Sequence, residues 1–381
     1  MTKSQKDLLL LLRAALWNDT EAAQRIHDAN WEEIALLAKE QTVIGICGDA
    51  IAMLDKEQCP GTELKTKWAG WMLQTERHNE RMNHAAAAIT HGFKKYGLTP
   101  ILMKGQALAS YYPAPEHRQC GDIDICFLNN SECDTAREIA KAIDPKAEKT
   151  ESNKRERKHF SFNINGIEVE LHHFLCLLET PKLNRRLQDI IDKELHQEPA
   201  LHINIGDYSI RTLPPTLSVL HQIIHITTHL LEAGIGLRQF CDIAMFLEHN
   251  HDKTDSRQLQ LYLQELELAS MAANIGYILH NIFGMDKTKI PFSTNGKDTR
   301  FIMNEVFEGG NFGKKRIEKS LQRKGNVVFR KISSMIYFAK RCYRYRVLLP
   351  QESKHYLWFK IILNYRLFRK KPLIAHPEGE N

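Results

Sequence analysis

Nowhere in this 381-residue chain do two cysteines stand at the C-x-x-C spacing. The eight cysteines, Cys47, Cys59, Cys120, Cys126, Cys133, Cys176, Cys241 and Cys342, are scattered singly. That argues against a zinc ribbon or a thioredoxin-like redox pair. Thiols dispersed in this way fit a reducing compartment, and the cytoplasm is the expected location. No apolar run is long enough to span a bilayer. The run Leu8 to Leu12 is broken by Arg13, is followed by Asn18 and Asp19, and lacks a small-residue cleavage site. It reads as a helix of the mature protein, not a signal peptide. Internal repeats and low-complexity tracts are also missing, which excludes solenoids and long disordered linkers. What remains, with 43% hydrophobic and 26% charged residues, is a soluble globular chain. Its length suits two or three domains and a core that needs no disulfides.

Charge is abundant but unevenly placed. Lys314 to Lys371 holds eighteen basic residues against two acids, Glu318 and Glu352, a local charge of +16. The whole chain carries only +6, so the remainder is acidic at −10. Stretches such as FRKISSMIYFAKRCYRYRVLLP mix basic with aromatic and aliphatic residues. That composition suits a nucleic-acid backbone with base stacking. It equally suits an amphipathic helix on anionic lipid, or C-terminal helices with a solvated basic face.

Four segments follow from the texture. Residues 1–94 form an N-terminal helical region: Leu9, Leu12, Ala15 and Leu16 make a helical stripe, and Asn30 caps WEEIALLAKEQ. Pro60-Gly61 interrupts it, and a long helix then runs from about Leu64 to Tyr96. Residues 95–210 form an α/β core. In it LTPILMKG and DIDICFL read as strands, QALASYY as a helical turn, and SECDTAREIAKAI as a helix capped by Ser131. KHFSFNINGIEVELHHFL is a hairpin about Asn165-Gly166, opened by Lys158 and His159. Residues 211–313 form a helical domain after Pro214-Pro215, ending in a Gly/Asn-rich, loop-like stretch over 285–313; 314–381 is a basic, aromatic helical tail. The expected class is α+β, a small mixed sheet flanked by helical regions.

The chemistry concentrates in the core. On a strand, residues two apart share a face, so Asp122 and Asp124 project together. Two adjacent carboxylates repel unless a positive charge joins them, and Mg²⁺ prefers such oxygens. On GIEVELHH, Glu168, Glu170 and His172 share a face; if that strand lies beside the DxD strand, Glu170 completes a three-carboxylate cluster. Such a cluster can hold two metals for a phosphoryl displacement. Upstream, Lys104-Gly105-Gln106 places a glycine turn between strand and helix, a geometry suited to an anion, with Lys104 and Arg118 as added charge.

The run ILMKGQALASYYPAPEHRQCGDIDICF, followed by Glu170-Leu171-His172, resembles the signature of the uncharacterised nucleotidyltransferase family of the DNA polymerase beta superfamily. The shared pieces are the leucine-lysine-glycine turn, a tyrosine-proline segment, arginine before glycine-aspartate-x-aspartate, and the acidic-leucine-histidine string. The resemblance extends to GIGLRQFCDIA and is weakest over the basic tail. It implies a nucleotidyltransferase core with Asp122, Asp124 and Glu170 as Mg²⁺ ligands. Lys104, Gly105, Gln106 and Arg118 would then face the nucleoside triphosphate. The sequence departs in its Gly105-Gln106 turn, in the long step to Asp122, and in Glu where Asp is commoner. The expected reaction is transfer of NMP, AMP first, from an NTP to an acceptor hydroxyl or phosphate with release of pyrophosphate. The acceptor is a small molecule, a protein or an RNA end. The alternative is a nucleotide-binding regulatory or toxin–antitoxin-type module without turnover, contacting RNA through its tail.

Three residues are further substrate candidates: His172, His225 and Arg238. His221, His225 and His229 lie on one helical face over about 12 Å, too far apart for one metal. Packing or groove lining, substrate contact, and a metal pair with another ligand stay open for them. Arg238 and Asp242, at i and i+4, suit a helix-surface ion pair, with Arg238 reaching nucleotide or acceptor the other option.

Overall fold

The computed structural model describes residues 1–147, 159–197, 199–313 and 327–369. Lys158, the tail segment 314–326 and the tail beyond 369 lie outside the described residues.

The N-terminal quarter is helical because its apolar residues recur at helical spacing and its helix starts are capped. Helix α1 (Lys3–Trp17) opens with a reciprocal cap. The Thr2 hydroxyl accepts from the Gln5 N–H, and the Gln5 side chain accepts from the Thr2 N–H. Helices α2 (Thr20–Gln24), α3 (Trp31–Glu40) and α4 (Ile44–Ile51) fold around it, α3 with Asn30 as its cap as expected. Helix α5 (Thr62–Lys95) starts directly after Pro60-Gly61 and runs 34 residues.

The sheet follows. Strand β1 (Ile101–Leu102) leads into the four-residue helix α6 (Gln106–Ala109), then β2 (Ile123–Cys126) and α7 (Asn130–Ile143). Helix α7 is capped by Asn129, not Ser131. Asn129 is still extended where the chain leaves the strand, and its side-chain oxygen accepts from the Glu132 N–H at 3.0 Å. Strands β3 (His159–Ile164) and β4 (Ile167–His172) form the expected hairpin, with Asn165 and Gly166 both at positive φ. The order is β1-β2-β4-β3, with β1 antiparallel to β2, β2 parallel to β4, and β4 antiparallel to β3. Beyond α8 (Pro181–Gln197), strands β5 (His202–Ile205) and β6 (Tyr208–Arg211) add a separate hairpin, tied to β1 by a Thr212–Leu102 bridge.

Period-two alternation divides the sheet's faces. Ile123, Ile125, Val169 and Leu171 point into an apolar cluster with Met82, Ala86 and Phe93 of α5 and Ala136 and Ala140 of α7. Each large side chain buried there contributes about 1.5–3 kcal/mol. The other face is left for Asp124 and Glu170. The second half of α5 therefore packs in the same cluster as the sheet.

Helices α9 (Pro215–Glu232), α10 (Leu237–Asn250), α11 (Ser256–Glu265) and α12 (Ala269–Tyr277) share a larger cluster with α1 and α3. The stretch 285–313 is not all loop: it contains α13 (Thr299–Gly309), with Ile302, Met303, Val306 and Phe307 buried. The flanking Gly and Asn residues obscure that short helical stripe. Helices α14 (Val327–Tyr345) and α15 (Pro350–Arg369) pack on each other. Buried Arg341 pairs with Glu305 at 2.7 Å and donates to the carbonyls of Leu230 and Leu231 at the end of α9. Buried Glu352 accepts from the N–H groups of Glu179 and Thr180 at 2.7 and 2.9 Å. Among the described residues, no helix is long and apolar enough to cross a membrane.

Candidate active site

The parallel pairing of β2 with β4 sets Asp124 directly beside Glu170. Asp122, just ahead of β2, joins them, and ligand atoms of the three lie within 4.8 Å of one another. Glu168, on the same face of β4, is exposed and apart. Asp124 is fully buried. Its Oδ1 accepts from Lys104 Nζ at 2.9 Å and from His172 Nε2 at 2.9 Å, while its Oδ2 is buried with no partner. Burial alone raises a carboxyl pKa, but Lys104 and His172 outweigh it and hold Asp124 well below the usual range. Asp122 moves the other way, raised by the Asp124 charge and then by burial. This like-charge strain, the orphaned Oδ2 and the all-oxygen donor set fit a hard divalent cation.

Lys104 and His172 are the counter-charges. Burial disfavours the Lys104 cation, yet Asp124, Asp122 and Glu170 together raise its pKa. His172 also bridges to Glu170, Nε2 to Oε2 at 3.3 Å, and is raised because these carboxylate bonds outweigh its burial. His159 approaches the other oxygen of Glu170 at 3.3 Å but is lowered by burial. His159, Glu170 and His172 are close enough to share a metal. The Nε2 of His172, however, faces two carboxylates that only accept, so it carries a proton.

The glycine turn lies against the acidic strand. Met103 N–H donates to the Asp124 carbonyl at 3.0 Å. Gly105 has φ +62 and ψ −116, a conformation open to glycine. A Cβ there would stand 3.2 Å from the Asp122 carbonyl oxygen. The turn thus brings Lys104 to the carboxylates. Gln106 goes elsewhere: its side chain is buried against α5 and the β5–β6 turn, and both amide atoms lack partners.

A helical wall faces the strands across a narrow cavity of about 50 Å³. Lys104, Gly105 and Asp122 line one side, and His221, His225 and Arg238 the other. Burial drives His225 down, and burial with the Lys104 charge pushes His221 down to about 3, so both imidazoles are neutral. The expected Arg238–Asp242 ion pair does not form. Asp242 is buried and taken by Arg118, with Nη2–Oδ2 at 2.6 Å and Nε–Oδ1 at 3.0 Å, and Tyr112 adds a 2.8 Å bond. The loop before the DxD strand inserts Arg118 where Arg238 was expected. Arg238 instead donates to the Gln119 carbonyl at 2.5 Å, and its Nε is buried without a partner. Of the predicted residues, Lys104, Gly105, Asp122, Asp124, Glu170 and His172 meet at the carboxylates. His225, Arg238 and Arg118 meet at the opposite wall, and Gln106 reaches neither.

Sequence reasoning did not assign Tyr112 or Asp242 to this wall, whereas groove lining was one of the readings left open for His221. Asp242 was visible only as an i, i+4 partner on its own helix, because its real partner lies 124 positions away. The small mixed sheet, its paired acidic strands and the lysine-glycine turn are compatible with a nucleotidyltransferase-type domain. The model of the uncharacterised nucleotidyltransferase family matches residues 27–284, and the chain belongs to that family. The match spans every residue of both walls. Comparison with curated proteins gives no match, nor does comparison with solved structures. Membership makes nucleotidyl transfer from a nucleoside triphosphate the activity class.

Proposed function

We propose that this protein is a Mg²⁺-dependent nucleotidyltransferase of the DNA polymerase beta type. In this reading it transfers NMP, AMP first, from an NTP to an acceptor hydroxyl or phosphate. The observation that carries the reading is the Asp124–Glu170 register, which gathers three carboxylates beside the Lys104-Gly105 turn. Asp122, Asp124 and Glu170 are the residues to hold two Mg²⁺ ions, which when bound supply Lewis-acid charge to the phosphoryl oxygens. Lys104, its ammonium on Asp124, balances the carboxylates and adds positive charge beside the triphosphate. Arg238, with a spare donor on the cavity, binds phosphate oxygens, while Arg118, held by Asp242, positions the loop that carries Asp122. His172 orients Asp124 and Glu170. The acceptor oxygen attacks the α-phosphorus, its proton passes to the Glu170 carboxylate, and the bond to the bridging oxygen breaks to release pyrophosphate. The four-part division at 94, 210 and 313 is the organisation we propose, with α5 lending its second half to the core. A cytoplasmic location fits eight free thiols.

Calorimetry with ATP, with and without Mg²⁺, and incubation with α-labelled NTPs and mixed small-molecule, protein and RNA acceptors test this. We expect Mg²⁺-dependent binding and labelled acceptor, both lost in Asp124→Asn. If nucleotide binds regardless of Mg²⁺ and no acceptor is labelled, the second reading, a binding module without turnover, takes over. Its supporting observation is that Gln106 turns away from the cavity. If Asp124→Asn transfers label like the parent, the assignment of the site is wrong.

A further inference from the structure

The tail helices carry an unusual surface. Ile336, Tyr343, Val347, Trp358 and Ile361 are all exposed, Val347 at 71% and Trp358 at 62%. Ile336, Lys340 and Tyr343 follow one another at i, i+4 and i+7 on one face of α14, and Val347 stands exposed in the turn that follows the helix. Trp358 and Ile361, at i and i+3, share a face of α15. The opposite sides are buried through Cys342, Tyr345, Leu348 and Tyr356. Arg341 and Glu352 fasten the pair to the body by the buried contacts described above. The apolar stripe is therefore held by a fixed scaffold.

Its charge has one sign. Between Val327 and Arg369 the only acid is Glu352, and it is buried. Lys340, Arg344, Arg346 and Lys354 are exposed around the stripe, with the Arg346 guanidinium 3.7 Å from the centre of the Tyr343 ring. Such a surface complements an anionic partner. Single-stranded nucleic acid is held mainly by basic and aromatic groups, which leaves the exposed isoleucines and valine of this face without a stated role. A bilayer surface uses all three: aliphatic groups at the acyl boundary, Trp and Tyr at headgroup level, and Lys and Arg at the phosphates.

We infer that α14 and α15 dock this protein on an anionic phospholipid surface, lying in its plane, with Ile336, Tyr343, Val347, Trp358 and Ile361 entering the interface. Arg341 links this face to the end of α9, the helix that supplies His221 and His225 to the cavity. The inference is independent of the chemistry at that cavity.

Flotation of the full chain with vesicles tests it. Vesicles containing about one-third phosphatidylglycerol should carry the protein at least tenfold better than pure phosphatidylcholine, with binding falling as salt rises. The triple variant Ile336→Ser, Val347→Ser, Trp358→Ser should lose at least tenfold of that binding while keeping the parent's melting temperature. Wild-type protein should show a blue shift of tryptophan emission on these vesicles that Trp358→Phe removes, a readout that does not depend on the triple variant folding. Equal flotation with neutral vesicles, unchanged flotation of the triple variant, or no Trp358 shift each overturns the inference. Retention on RNA that outlasts vesicle binding in salt and ignores the triple substitution would assign the face to nucleic acid instead.

Discussion

The two walls of the cavity are built on opposite principles. The sheet wall gathers negative charge: Asp122, Asp124 and Glu170 stand together, with Lys104 and His172 bonded to Asp124 as counter-charges. The helical wall removes it. Its one buried acid, Asp242, is neutralised by Arg118, its histidines are held neutral, and Arg238 keeps a donor without a partner. A cation fits the first wall and an anion the second, as a metal–triphosphate complex requires. The sheet wall also holds its charges by local means, two residues apart at the start of one strand and side by side across a ladder. The helical wall depends on contacts between distant segments. The first should tolerate loss of its partners with its frame intact, whereas the second should fail as a structure.

The largest effect is expected from breaking the helical wall. Arg118→Met leaves the Asp242 charge buried with the Tyr112 hydroxyl bonded to it but no bonded counter-charge, a loss of about 3–5 kcal/mol by urea unfolding. Arg118→Met with Asp242→Leu should recover part of it. An equal loss in the double variant would show that the pair's charge is not what matters. Next comes the turn between the walls. Gly105→Ala forces a side chain into a strained backbone and against the Asp122 carbonyl, at about 1–3 kcal/mol in the same measurement.

The loop that carries Arg118 gives a pH signature. His117 lies between Asp49 at 2.5 Å and Glu76 at 3.0 Å, and its pKa is raised to about 9, first by the Asp49 bond. Because the folded value exceeds the unfolded one, its contribution is complete below about 6.5 and disappears as pH rises through about 9. With allowance for the part-exposed acids, about 1–2 kcal/mol should be lost over that window. Melting curves of Asp49→Asn with Glu76→Gln should lack that slope.

The smallest effect separates the walls by function. Arg238→Gln should weaken ATP binding about tenfold, roughly 1.4 kcal/mol, both with and without Mg²⁺. Asp122→Asn should weaken only the Mg²⁺-dependent part. Identical titration curves for the two variants would erase the distinction.

Much of the sheet wall was legible. Asp122 and Asp124 share a face because strand geometry alternates, and Asn165-Gly166 marked the hairpin that delivers Glu170. The pairing of β2 with β4 could only be posed as a condition, since a parallel partner is chosen by the helices and loops between. The cap of α7 was misplaced by two residues because Asn129 and Ser131 are both good caps, and the strand exit decides between them. Helix α13 was missed because its buried stripe is short and its flanks are rich in glycine and asparagine. Gln106 was expected at the turn with its neighbours, but on the short α6 its side chain faces α5.

By itself, the sequence determined much that depends on neighbours along the chain: the shared direction of the aspartates, the glycine turn, the hairpin, the cap of α3, and the basic composition of the tail. Only the tertiary structure decided that Arg118, not Arg238, neutralises Asp242, that neutral histidines face the carboxylates, and that the tail's apolar residues divide into a buried and an exposed face. The reason is physical: periodicity fixes directions within an element, but a buried charge takes whichever partner the packing of distant elements brings within reach.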